Sequence, residues 1–471
     1  MLFNSINYAT FLPIVFILYW ALPTKFRTVL LLAASYYFYM SWNAKYLVLI
    51  LFVTVVSYAS AIGMDCVQNK STKKIILFTS SLASLGVLFV FKYYNFFAWS
   101  VMRFLPLQTK ILDLVLPVGI SFYTFQTLSY VIDVYRGDMK SERNFITYAT
   151  FVTFFPQLVA GPIERSSRLL PQLKEKHMFN LENARLGMML ILWGLFKKIV
   201  IADNVALFVD KVYGNISEYD GASIFVATVF FSIQIYCDFS GYSDMARGSA
   251  KLFGIELMEN FRSPYLSTSI REFWSRWHIS LSTWFRDYLY IPLGGNRVSK
   301  LRNAINLLIT FMVSGLWHGA NWTFILWGGI HGLGQVAEKY TFGKIKSDSI
   351  VLKIVRGVLV YIFVTFAWIF FRASGIGEAL FAVRSIAGAC AHPVGFAGSV
   401  QNVLVADVTK WIPICGSIIV LLVVDLIYRN KSFDEVIKLN GFVRRGVALL
   451  VIIATMIFAY VGQSSFVYFQ F

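Results

Sequence analysis

Residues 303–332 read NAINLLITFMVSGLWHGANWTFILWGGIHG, and the place where this run breaks decides the fold. From Asn303 to Trp317 the chain is apolar, about 15 residues, which as a helix covers roughly 22 Å at 1.5 Å per residue. The hydrocarbon core of a bilayer is about 30 Å thick. A helix that enters from one face and breaks at His318-Gly319 therefore stops within the membrane. Gly315 and Gly319 flank that break. Lipid tolerates irregular backbone only where protein or a water-filled cavity shelters it. The stretch thus predicts a membrane protein with a histidine in its interior. An ionisable group at that depth marks a functional site by default. The plainer alternative is a histidine bonded to a backbone carbonyl at a helix contact.

Composition agrees with this reading. The chain has 471 residues, 57% hydrophobic and 14% charged. Soluble proteins carry about 25% charged residues. Apolar stretches fall near 8–22, 28–42, 46–63, 75–99, 113–134, 146–162, 186–209, 222–241, 304–317, 321–338, 352–371, 411–428 and 446–463. Several are shorter than a full span, so an all-α polytopic membrane protein of about eleven transmembrane helices is expected, with re-entrant or interfacial helices besides. Aliphatic runs of this length favour helices over a barrel. No long polar segment divides the chain, so residues 1–471 read as a single membrane domain. The first stretch lacks a basic n-region and a cleavage site and reads as a retained span.

The formal net charge is +17. The cations sit in short loops, which fits the positive-inside bias better than nucleic-acid binding. Lys25, Arg27, Lys70, Lys73 and Lys74 place the first and third loops inside, and hence the N-terminus outside. Arg429, Lys431, Lys438, Arg444 and Arg445 place their loop inside. The tail 463–471 is then expected outside, as is the charge-poor connection from Arg372 to Lys410.

Residues 247–302 mix cations with Trp274, Trp277 and Trp284. Such density suits helices lying against cytoplasmic headgroups. It equally suits a basic mouth for a phosphate-bearing donor, with Arg271, Arg276 and Arg286 facing the phosphates. As an anchor alone it would carry no chemistry.

The chain has five histidines, and histidine is the usual general base near neutral pH. His318 leads as catalytic residue. His278 lies in the cytoplasmic approach, where an aromatic belt is the plain explanation. His331 falls in the following span. His177 and His392 read as solvated loop residues. Intramembrane polar groups cluster in FSIQIYCDFSGYSDMARG, where Gln234, Asp238 and Asp244 are hard to face towards lipid and should line a cavity. Trp317 and Asn321 flank the His318 break and join that group. Helix breaks are expected at Pro117–Gly119 and Gly161-Pro162.

The four cysteines (Cys66, Cys237, Cys390 and Cys415) show neither metal nor disulfide spacing, so no metal site is expected. Cys237 reads as a small core residue. No G-x-S-x-G, Walker loop or dinucleotide fingerprint occurs.

Five blocks together carry a family resemblance: LPVGISFYTFQTLSYVIDVYRGD, FPQLVAGPIER, DFSGYSDMARG, MENFRSPYLSTSIREFWSRWHISLSTWFRDYLYIPLGGNR and GLWHGANWTFILWGGIHG. They lie within residues 116–340, the catalytic core blocks of 113–340. The chain resembles the membrane-bound O-acyltransferase (MBOAT) family, nearest to the membrane subunits of bacterial alginate O-acetyltransferases. The WHIS-to-LGGNR stretch is specific; WHG alone is not. The resemblance implies a helical shell around a central tunnel, with His318 as catalytic residue and His278 as a second important position near the donor entrance. It implies a cytoplasmic acyl thioester, acetyl-CoA first, as donor, and no bound cofactor. It also implies an acceptor outside the bacterial cytoplasmic membrane, reached through an extracytoplasmic SGNH-type acetyltransferase partner of a polysaccharide- or cell-wall-modifying system.

The tail reads SSFVYFQF. A partner peptide of the related teichoic acid system ends in a similar F-x-Y-F, so Tyr468 is a candidate acyl relay. A phenyl ester is reactive because phenol, with a pKa of about 10, is a good leaving group. The plain reading of Tyr468 is an interfacial aromatic. A lipid acyltransferase of the same fold, a transporter and a non-catalytic scaffold are the competing classes. Transporters also use broken helices and buried polar groups.

Overall fold

A computed structural model describes residues 1–105, 110–159, 161–341, 349–405, 408–429, 431, 435, 441–460, 462 and 466. Most of these residues are helical, with no strand among them. They form two compact units: Met1–Ile191 with Ser243–Glu259, and Leu192–Tyr242 with Asn260–Phe471.

The first unit begins with four apolar helices, Ile6–Ala21, Thr24–Asn43, Leu47–Cys66 and Lys70–Leu88. Polar side chains cap the first and fourth of these at their starts, where backbone N–H groups lack partners. Ser5 accepts from the Tyr8 N–H and Asn69 from the Ser71 N–H. The Lys70–Leu88 helix passes through a π turn, Phe89–Tyr93, into Tyr94–Phe104. The expected break before residue 120 is present. Gly119 adopts φ +77°, a left-handed conformation that glycine takes without a Cβ penalty, and the helix Ile120–Arg136 starts immediately after it. A second break separates the helix ending at Leu158 from the one beginning at Ser166.

In the second unit, the helices Lys300–His318 and Trp322–Tyr340 form a tight hairpin. A Cβ at Gly315 would overlap Phe324 O, and one at Gly328 would overlap Phe311 O. Only glycine permits that approach. The first helix ends at His318, and Gly319 is extended, so the break read from the sequence is real. Its charged start, Lys300 to Arg302, lies at the end opposite the histidine. Behind the hairpin, Ile350–Arg372 supplies the buried residues Trp368, Phe370 and Phe371.

Five described helical stretches are long and apolar enough to cross a membrane, or six if the bent pair Ile376–Cys390 and Pro393–Leu404 is one span. The count of eleven is not reached by that measure. Other apolar runs, such as Ile6–Ala21 and Arg445–Phe458, are too short to qualify. The stretch 376–404, expected only as an outer connection, is two helices meeting at 115°.

Candidate active site

The site lies in the second unit and is built from two turns. His278 occupies the turn between the short helices Ile270–Arg276 and Ile279–Phe285, at φ +44°. With Ser263 it is one of two described non-glycine residues in the left-handed region. Such positions cost about 1–3 kcal/mol and gather at functional sites. His318 ends the Lys300–His318 helix. Both are buried, at 0% and 3% exposure. Their ring centres are 6.3 Å apart.

Aromatic rings hold this pair. Trp317 lies 6.0 Å from His278 and 5.1 Å from His318. Trp327 lies 5.1 Å from His318 and 5.0 Å from His331. Phe239 meets His278 at 4.7 Å, and Phe371 meets His318 at 5.5 Å. His331 therefore belongs to the same cluster, one tryptophan away from His318. Its Nδ1 accepts a 3.2 Å hydrogen bond from Trp274 Nε1.

A cavity of 1410 Å³ opens beside the cluster. Trp274, Phe311 and Phe363 form apolar wall, and Arg271, Arg286, Lys300, Lys339 and Arg356 supply positive charge. Ser314 also lines it, one helical turn before His318. Arg271 and Arg286 are thus part of the cavity lining, Arg286 with its Nε on Asp287 at 2.7 Å. Arg276 is not: its Nε bonds Glu272 at 3.0 Å and its Nη1 bonds the Arg429 carbonyl at 2.8 Å, so it ties loops together. Lys339 and Arg356 fall outside the basic block and join its arginines only through folding.

The remaining expected residues separate. Asn321 caps the helix Trp322–Tyr340, accepting from the Thr323 N–H at 3.1 Å and donating to the Ser374 carbonyl at 2.8 Å. Asp238 is locked in a buried ion pair with Lys198 at 2.7 Å, and Lys198 also meets Asp203 at 2.8 Å. Gln234 is buried, with no hydrogen-bond partner for Oε1 among the described residues. Asp244 belongs to the first unit and faces Arg247 at 3.4 Å. Cys237 is fully buried. Tyr468 lies outside the described residues. Lys197 and Lys198, both buried, have no counterpart in the sequence reading. They sit in a π turn, Phe196–Ala202, within an otherwise apolar helix. Among the described residues no group of three or more metal-ligating side chains occurs.

Apolar helices, a buried histidine pair and a cation-lined cavity thus occur together in the second unit. The membrane-bound O-acyltransferase family profile matches residues 140–377. The chain is 33% identical to the peptidoglycan O-acetyltransferase of Helicobacter pylori, over 100% of this chain and 98% of that protein. It is 40% identical to the probable alginate O-acetylase AlgI of Azotobacter vinelandii, over 78% of this chain and 74% of the relative. It is 28% identical to the teichoic acid D-alanyltransferase of Bacillus subtilis, over 58% and 70% respectively. The chain belongs to the membrane-bound O-acyltransferase family. It is an acyltransferase.

Proposed function

We propose that this protein takes an acetyl group from a cytoplasmic thioester, acetyl-CoA first, and delivers it across the bacterial cytoplasmic membrane to the hydroxyls of an exopolysaccharide or cell-wall polymer. The observation that carries this is the single helical turn between Ser314 on the cavity wall and His318. Donor phosphates would meet Arg271 and Arg286, while the thioester points inward. His318 takes the proton of an attacking hydroxyl. The hydroxyl oxygen adds to the thioester carbonyl, the C–S bond breaks, and the leaving thiolate recovers the proton from the imidazolium. A base within hydrogen-bond reach contributes roughly 10²–10⁴-fold.

Tyr468 is the proposed first acceptor. In its support, Phe466 is fully buried, 4.3 Å from Tyr242 and 5.9 Å from Phe239, the ring that also touches His278. An SGNH-type extracytoplasmic partner then carries the acetyl to the polymer. Both termini lie outside in this reading, which rests on the loop cations.

Tyr468→Phe tests the relay in cells that make the polymer. The expected result is loss of base-labile acetate from the surface polymer and of any acetylated C-terminal peptide by mass spectrometry. Undiminished surface acetylation refutes the relay. Acetyl-CoA left intact by the wild-type protein in liposomes refutes the donor.

A further inference from the structure

The residues around His278 fix more than its position. Asn260 Oδ1 meets three groups: Ser280 N at 3.1 Å, Ser280 Oγ at 2.9 Å and His278 Nδ1 at 3.1 Å. A backbone N–H can only donate, so the Asn260 atom facing it is the amide oxygen. An amide oxygen only accepts, so His278 Nδ1 facing it must carry the hydrogen. In the neutral ring the lone pair is then on Nε2. The Asn260 carbonyl also accepts from Ile279 N at 2.9 Å. Asn260 thus serves the first two N–H groups of the Ile279–Phe285 helix, which has no capping side chain of its own from His278. All four atoms of this clamp are buried; Asn260 is 1% exposed and Ser280 0%. The same contacts hold His278 in its left-handed conformation.

We infer that Asn260 is a positioning residue that sets His278 in the Nδ1–H form, so that Nε2 is a hydrogen-bond acceptor in the reaction. His278 therefore serves an O–H or N–H of the reacting partners. It does not act, while neutral, as a donor to the carbonyl oxygen on which charge develops. This rests on the acetyl-transfer reading only for which reaction is served; the tautomer follows from the clamp alone.

Nitrogen NMR of the purified full-length chain, labelled in its histidine rings, reads the tautomer directly. His278→Gln identifies the signal by its disappearance. The wild type is expected to show a protonated Nδ1 and a bare Nε2. Asn260→Asp keeps an acceptor in place and should keep that pattern and most of the turnover. Asn260→Leu removes the acceptor, should mix the tautomers, and should lower kcat by roughly 10²-fold. A protonated Nε2 with a bare Nδ1 in the wild type overturns the inference. So does Asn260→Leu with unchanged ring signals and unchanged kcat. If Asn260→Leu does not fold, the wild-type spectrum still decides. A wild-type protein that shows the expected ring but transfers no acetyl sinks the acetyl reading and leaves the tautomer standing.

Discussion

The imidazoles of His278 and His318 meet at 61°, with ring centres 6.3 Å apart. They come from different elements, one from a left-handed turn and one from a helix end. Trp317 touches both rings, 6.0 Å from His278 and 5.1 Å from His318. Tryptophan and phenylalanine rings close the surroundings. A low-dielectric wall strengthens any proton transfer or charge stabilisation made there.

In the proposed reaction the donor phosphates meet the cavity lined by Arg271 and Arg286. Arg271→Ala combined with Arg286→Ala should raise the KM for acetyl-CoA about tenfold, the effect of losing one to two charge-assisted phosphate contacts, and leave kcat largely unchanged. Steady-state thiol release in proteoliposomes measures both constants. An unchanged KM removes the two arginines from the donor site.

A second buried cluster carries no proposed chemistry and should act on stability. Lys198, Asp203 and Asp238 are each 1–4% exposed in their side chains. Lys198→Met deprives two buried carboxylates of the ammonium they share. Breaking a buried pair costs about 3–5 kcal/mol. The thermal midpoint in detergent should fall markedly, or the chain should be lost from the membrane. A midpoint equal to wild type contradicts this account of the π turn.

Glu164, in the loop after Gly161-Pro162, gives a pH prediction. Burial lifts its carboxyl from the ordinary 4.5 to about 7, although the Met258 N–H and Arg168, Arg247 and Arg165 pull the other way. Between about pH 4.5 and 7 the unfolded chain therefore releases a proton that the folded chain keeps. Stability from this group is present at the acid end and declines as pH rises through that window. Glu164→Gln should flatten that decline when thermal midpoints are compared across the window. Parallel slopes in the two proteins would refute it.

Much of this was legible in the sequence because it depends on local rules. The His318-Gly319 break follows from a short apolar run ending at glycine, and Gly119 starts its helix where Pro117–Gly119 promised a break. The long-range pairings were not legible. Lysines serve as loop markers in a hydropathy reading, so buried Lys197 and Lys198 escaped it; two of their partners, Asp238 and Ser240, come from distant sequence. Asp238 was expected beside a cavity and is found in that ion pair. Arg276 looked equivalent to Arg271 and Arg286, but it stands outside the cavity lining and bonds the Arg262 and Arg429 carbonyls. Asn260 was one polar residue in a polar stretch until its distance to His278 was known. The helices at 376–404 were hidden because few charges and no clear break distinguish them from a connection.

The central claim is that His318 is the base for acyl transfer. Replace it by alanine, match the amount of chain in the membrane to wild type, and measure acetate released by mild base from the surface polymer. The account predicts that O-acetylation disappears while the protein stays folded and membrane-inserted. Wild-type acetate with His318→Ala would contradict it.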